Sequence, residues 1–217
     1  MKKKYALVSD FDGTITGDDF FFYLKENFFD EESLRPWDKY LAGQETLFNA
    51  LNAMFNQLRI DEKQLKSFIK TIRYDDAFSK TAELCNLKKI PVYIVSAGCD
   101  YYINELIGHE IKKYKIKLIT NKGVYSKKQG LNMIAFDKTS PYYDEKLGIS
   151  KKYVVESLKK DGYTVIFAGD GPPDAFPARV SDYVFARKHL LEYCQVEKIP
   201  YKNFSTFEDI YNFIKEL

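Results

Sequence analysis

Short continuous apolar runs alternate along the chain with stretches of helical period. Tyr5–Val8, Ile90–Val95, Tyr163–Ala168 and Asp182–Ala186 are such runs, and they predict strands buried on both faces. Residues 17–80 carry a different pattern. Phe20 to Leu24 follows the capping pair Asp18-Asp19, and a second segment surrounds Leu34–Leu41. Leu47, Phe48, Leu51, Met54, Phe55 and Leu58 recur at helical spacing, as do Leu65, Phe68, Ile69 and Ile72. Strand-like alternation is absent there, so the block predicts a small helical bundle inserted after the first strand. Asp75–Lys88 predicts a helix leading back, with another at 100–108. Residues 114–136 predict a hairpin or edge strands, with turns at Asn121-Lys122-Gly123 and Gln129-Gly130. Ser150 caps a helix to Lys160, and further helices are expected at Lys188–Cys194 and Phe207–Leu217. Strands alternating with helices give an α/β, Rossmann-like, mostly parallel sheet with right-handed crossovers. The expected division is a core of residues 1–16 and 81–217 and an insert of residues 17–80.

Charge narrows the partners. With 33 basic and 31 acidic residues the net charge is +2, which favours neither nucleic acid nor an anionic membrane. The apolar run after Met1-Lys2-Lys3-Lys4 stops at Ser9-Asp10, too short for a signal peptide. Cys85, Cys99 and Cys194 have no metal-site spacing, and a reducing cytoplasm is the expected location. Cys99 is read as a packing residue.

The chemistry sits where the strands end. Asp10 and Asp12 leave the first strand two residues apart, on one face, before the flexible Gly13 and the hydroxyls of Thr14 and Thr16. Two close carboxylates repel unless a cation or a shared proton relieves them, so a divalent metal is expected. Ser96 ends the second run, Lys151 opens a helix, and Asp170 with Asp174 follows the third. Ligands of open parallel sheets bind outside the carboxyl ends of the strands, which brings these distant residues together. Taken singly, Ser96 is a helix cap, Lys151 competes with its neighbour Lys152, and Asp170 and Asp174 are turn residues. Arg187 is read as a surface residue.

As an ordered set, DFDGT, Ser96, Lys151 and GDxxxD resemble the motifs of the haloacid dehalogenase superfamily of phosphohydrolases, over nearly the whole chain. The resemblance implies an aspartyl-phosphate enzyme. Asp10 is then the nucleophile, and Asp12 protonates the leaving alkoxide and later activates water. Lys151 offsets phosphate charge, and Ser96 with the N–H groups of Ala97 and Gly98 holds phosphate oxygens at a helix N-terminus. Mg²⁺ is the implied cofactor, held by Asp10, the Asp12 carbonyl and Asp170. Asp174 binds it through water or orients Lys151.

The insert after the first motif is similar to the helical cap of the phosphoserine phosphatase branch, where an acid at the position of Asp19 meets the serine amino group. That branch also needs an arginine for the serine carboxylate, and none occurs between Arg35 and Arg59. IPVYIVSAGCD (90–100) and FARKHLLEYC (185–194) are more similar to the methionine-salvage phosphatases acting on 2-hydroxy-3-keto-5-methylthiopentenyl 1-phosphate. The implied partner is a small phosphorylated metabolite, with Phe20, Phe21, Tyr23 and Trp37 as candidate cap contacts. A phosphomutase would share every motif, and a non-catalytic phospho-ligand-binding relative would more readily lack Asp10 or Asp12.

Overall fold

The computed structural model describes residues 3–217. Among these residues seven strands form one sheet: β1 (Lys4–Ser9), β2 (Val92–Cys99), β3 (Lys117–Ser126), β4 (Gly130–Ile134), β5 (Tyr163–Gly169), β6 (Tyr183–Ala186) and β7 (Lys202–Asn203). Their order is β4-β3-β2-β1-β5-β6-β7, and every pair is parallel except the β3–β4 hairpin. The α/β, Rossmann-like expectation therefore holds. The chain moves outward from β1 on one side to β4, then crosses to β5 on the other. The crevice opens where that order reverses, between β1 and β5.

Both faces of the sheet are buried, which is why the central strands read as unbroken apolar runs. Leu7, Ile94, Ile166 and Phe185 point to one face and pack with α5 (Asp76–Leu87), α6 (Asp100–Lys113) and α10 (Phe207–Glu216). Ala6, Val8, Val95, Val165 and Phe167 point to the other and pack with α7 (Lys151–Lys160), α8 (Ala175–Val180) and α9 (Lys188–Val196). Burying a Leu, Ile, Val or Phe side chain contributes roughly 1.5–3 kcal/mol, so these layers dominate stability. Asp75 ties two helices of the first layer. Its Oδ1 accepts the Ala77 N–H at 2.9 Å, capping α5, and its Oδ2 accepts the Phe207 N–H at 2.7 Å at the start of α10.

The insert comprises α1 (Phe20–Phe28), α2 (Arg35–Leu41), α3 (Leu47–Phe55) and α4 (Glu62–Ile69). It closes where Thr16 pairs with Tyr74 in an antiparallel bridge and the Asp75 N–H donates to the Ile15 carbonyl at 2.9 Å. Past this point α5 runs unbroken across residue 80 and packs against α10 and β2. The hairpin and the following loop brace the insert. The Met133 N–H donates to Asn52 Oδ1 at 2.7 Å, and the Phe48 N–H donates to the Lys146 carbonyl at 2.9 Å.

One expected turn is absent. β3 runs straight through Asn121-Lys122-Gly123, and the hairpin turns at 127–129. Asn121 is buried, its Nδ2 donating to the Ala97 and Leu147 carbonyls at 2.8 and 3.0 Å. A Cβ on Gly123 would lie 2.6 Å from Tyr101 Cβ and 2.7 Å from Cys99 Sγ, so close packing explains this glycine. Cys85, Cys99 and Cys194 are free and buried, and no described helix is long and apolar enough to cross a membrane.

Candidate active site

Asp10 is the first residue past β1, and its N–H donates to the Ala168 carbonyl of β5 at 2.9 Å. The chain then coils around one acceptor: the N–H groups of Thr14, Ile15 and Thr16 all donate to the Phe11 carbonyl at 2.8–3.2 Å. Gly13 lies at φ +70°, and a Cβ there would stand 2.2 Å from Asp170 Oδ2. Glycine is required on both counts, for the left-handed backbone and for the approach of Asp170. Thr14 Oγ1 donates to Asp170 Oδ1 at 3.1 Å, joining the loop after β1 to that after β5.

Lys151 opens α7 and is 2% exposed, with Nζ 2.8 Å from both Asp10 Oδ1 and Asp174 Oδ1. Lys152 is 48% exposed and faces Glu156 at 3.4 Å, so Lys151 is the lysine that reaches the site. Burial works against the charge of Lys151, but Asp10 and Asp174 outweigh it and hold the ammonium protonated. Asp174 is fully engaged. Its Oδ1 meets Lys151, and its Oδ2 accepts the N–H groups of Asp170 and Gly171 at 3.0 and 3.1 Å.

Asp12 is gripped from three directions. Its Oδ2 accepts from Tyr102 Oη at 2.5 Å and from Ser96 Oγ at 3.2 Å, and its Oδ1 accepts the Phe20 N–H of α1 at 3.1 Å. Burial raises its carboxyl above the usual range, and these bonds offset only part of that rise. Ser96, Ala97 and Gly98 lie within β2, at a shift in its register against β3, while α6 begins only at Asp100. The expected helix N-terminus is therefore displaced by two residues, and the Gly98 N–H is held by Ser96 Oγ at 2.9 Å.

A cavity of about 270 Å³ lies above these groups. Asp10, Asp12, Ser96, Lys151 and Asp170 form its floor, and Phe20, Phe21, Trp37, Tyr40, Leu51 and Phe55 of the insert form its roof. Asp19, at the start of α1, makes no capping bond and lines the cavity between them. Burial first, and then Asp12, push its carboxyl up to about 6. Tyr23 lies outside this cavity and Trp37 within it.

Asp10, Asp170 and Asp174 each place an oxygen within 4.8 Å of the others. Burial, with the charges of Asp174 and Asp170, raises Asp10 well above the usual carboxylate range. Burial and Asp174 raise Asp170 to about 6. Three buried carboxylates against one buried lysine leave an excess of negative charge, and the donors are hard oxygens, which suit Mg²⁺. Asp10 and Asp170 each retain an oxygen without a strong partner, whereas Asp174 has none to spare. The residues present thus fit the ion, with Asp174 better placed to orient Lys151.

This excess charge has a measurable consequence. An aspartate in the unfolded chain titrates near 3.9, while Asp170 titrates at about 6 in the metal-free fold. Between those values the folded protein holds a proton that the unfolded chain has lost. The stability from Asp170 is therefore complete below about pH 4 and is lost as pH rises through about 6. A bound cation replaces that proton. Saturating Mg²⁺ should raise the melting temperature at pH 8 by roughly 5–10 °C and by far less at pH 5. Equal shifts at both pH values would contradict the carboxylate excess.

Three site residues escaped the sequence reading. Arg187 is half-buried, not a surface residue. Its guanidinium donates to the carbonyls of Gly13, Thr14 and Thr16, holding the loop after Asp10, and it lies over the Phe204 ring at 5.1 Å. Lys188 follows at φ +48°, its Nζ 2.8 Å from the Gly17 carbonyl and 3.4 Å from Asp170 Oδ2. Both stand at the end of β6, so the strand-end rule would have pointed to them. Tyr102 carried no such signal, being one apolar position of a helix. His189 lines the cavity mouth with its side chain 74% exposed, and His109 lies outside the cavity.

No family model matches the chain. A 2-hydroxy-3-keto-5-methylthiopentenyl-1-phosphate phosphatase of Lysinibacillus sphaericus is 29% identical over 222 residues, which are 99% of this chain and 95% of the relative. A polyol phosphate phosphatase of Saccharomyces cerevisiae is 28% identical over 227 residues, covering 99% and 94%. Among solved structures, a phospho-aspartyl intermediate analogue of phosphoserine phosphatase superposes with a TM-score of 0.70 at 17% identity, covering 98% of this chain and 99% of that one. A HAD family hydrolase from Salmonella enterica serovar Typhi gives 0.73 at 14% identity, covering 100% and 72%. The last two likenesses establish the fold.

Proposed function

We infer that this chain, a phosphatase of the haloacid dehalogenase superfamily, hydrolyses small phosphomonoesters whose leaving group is short, partly apolar and free of a carboxylate. The observation that carries the substrate class is the aromatic roof without a cation. Among the described residues no lysine or arginine of the insert lines the cavity. Arg35 faces Glu32 at 3.4 Å, and Arg59 donates to the Asn56 and Leu58 carbonyls. A phosphoserine carboxylate would enter this roof unpaired, at a cost of several kcal/mol. The names of the two relatives describe phosphates of a hydroxy-keto-thioether and of a polyol, neither with a carboxylate.

The insert acts as a cap that excludes water over the reacting centre. Asp10 attacks phosphorus through a carboxylate oxygen, forming an aspartyl-phosphate, while Asp12 gives its proton to the leaving oxygen. Asp12 then takes a proton from the water that releases inorganic phosphate. Lys151, oriented by Asp174, sets a positive charge beside Asp10 and so lowers its repulsion toward the phosphate dianion. Ser96 exchanges its bond to Asp12 for one to a phosphate oxygen. Asp10, Asp170 and the Asp12 carbonyl would hold Mg²⁺, which when bound neutralises charge on the transferring group.

The test is phosphate release from a panel containing phosphoserine, the 2-hydroxy-3-keto-5-methylthiopentenyl ester, a polyol phosphate and an aryl phosphate, with and without Mg²⁺. The neutral leaving groups should exceed phosphoserine in kcat/KM by at least about tenfold, as an unpaired charge of a few kcal/mol requires. Preference for phosphoserine would overturn the substrate class, and turnover in chelator would overturn the metal requirement.

A further inference from the structure

We propose that Tyr102 is a positioning residue for Asp12, holding the acid–base carboxylate in place from beneath the cap. The proposal rests on the two-step mechanism above and goes beyond it.

Tyr102 is 2% exposed and sits in the first turn of α6. Its ring stacks on Phe20 of the cap, with centroids 4.1 Å apart and planes inclined by 17°. Phe11 of the core stands against it at 6.2 Å. The ring is therefore clamped between the two parts of the molecule, which fixes where the phenol oxygen points. That oxygen lies 2.5 Å from Asp12 Oδ2. A phenol has one hydrogen to give, and among the described residues Asp12 is the acceptor it meets. A hydroxyl so buried and left unpaired would cost about 1–3 kcal/mol, so its hydrogen stays on Asp12.

The strand beside it has been cleared for the phenol. A Cβ on Gly98 would lie 1.6 Å from Tyr102 Oη and 3.0 Å from Asp12 Oδ2. Gly98 has no left-handed backbone to account for it. Its lack of a side chain is explained by the Tyr102–Asp12 contact. Phe20 serves the same carboxylate twice, through its N–H on Oδ1 and through its ring on Tyr102. Cap and core thus hold Asp12 together.

The balance of the reaction shows where this matters. In the first step the bond from Asp10 to phosphorus forms, the bond from phosphorus to the leaving oxygen breaks, and the Asp12 proton moves to that oxygen. Asp12 is left as a carboxylate, to which Tyr102 donates. In the second step water attacks phosphorus, its proton passes to Asp12, and the bond from phosphorus to Asp10 breaks. Tyr102 transfers no proton in either step. Its contribution is therefore greatest for a leaving group that must be protonated.

Tyr102→Phe keeps the stacked ring and removes the hydroxyl. The parameter to measure is kcat/KM, which reports the steps through departure of the leaving group. For a short alkyl phosphate it should fall on the order of 10- to 100-fold, a part of what general acid catalysis supplies. For p-nitrophenyl phosphate, whose leaving group departs unprotonated, it should change by less than about threefold. The retained aryl turnover then shows that the variant is folded. An equal fall with both substrates would mark a merely structural residue and overturn the proposal, as would no fall with either. Placed on an Asp12→Asn background, Tyr102→Phe should cause no further loss, and a full additional loss would show that it does not act through Asp12. The underlying mechanism is tested apart from this, by whether wild type releases phosphate and Asp10→Asn does not.

Discussion

Asp10→Asn is expected to lower turnover by a factor on the order of 10³ or more while leaving the fold intact. An amide cannot form the phosphoryl ester, so the two-step route closes. The amide oxygen can still accept the bonds that Asp10 Oδ1 now receives from Lys151 and from the Phe11 N–H, both within 2.8 Å. The carboxylate it replaces is held well above its usual range by burial and by Asp174 and Asp170. Removing that charge relieves repulsion, so the metal-free variant should melt at the wild-type temperature or higher at pH 8. Stabilisation by Mg²⁺ should shrink, because a ligand is lost. Phosphate release and thermal melting, with and without Mg²⁺, check all three effects. Substantial turnover in this variant would remove Asp10 from the nucleophile role, and a lower melting temperature would mean that the buried charge is already compensated.

Lys151→Met should damage both activity and stability. The ammonium is the buried cation between Asp10 and Asp174, at 2.8 Å from each. Its loss leaves two buried carboxylates facing each other, and breaking such a pair costs about 3–5 kcal/mol. Turnover should fall on the order of 10²–10³, the effect of deleting one charge that stabilises a transferring group. Denaturant unfolding and phosphate release measure the two losses. Lys152→Met is the control: that side chain is half-exposed on Glu156, and the change should leave both quantities near wild type. If Lys151→Met turned over normally, phosphate charge would have to be offset elsewhere, with Lys188 the nearest remaining candidate.

The helical insert shows what local spacing carries and what it does not. Helical period alone separated α1 to α4 from the sheet, because apolar residues every three or four positions cannot line one face of a strand. The end of the insert depended on a long-range bridge between Thr16 and Tyr74, to which local spacing is blind. Gly123 was read as a turn signal for the same reason. Glycine marks either a turn or a close approach, and the approaching Tyr101 and Cys99 come from another element.

Residue pattern carries the α/β architecture and points to carboxylates gathered at one edge of the sheet. Period fixes which strands are buried on both faces, and strand ends fix where Asp10 and Asp170 emerge, while Ser96 lies three residues inside β2 at its register shift. Tertiary structure alone decided which oxygen faces which partner. It engaged Asp174 with Lys151 and two backbone N–H groups, and turned Arg187 inward onto three carbonyls. It also set the Tyr102 hydroxyl on Asp12 across 90 residues of chain. Those choices depend on distances between elements remote in sequence. Periodicity describes each element about its own axis and carries no information on such distances.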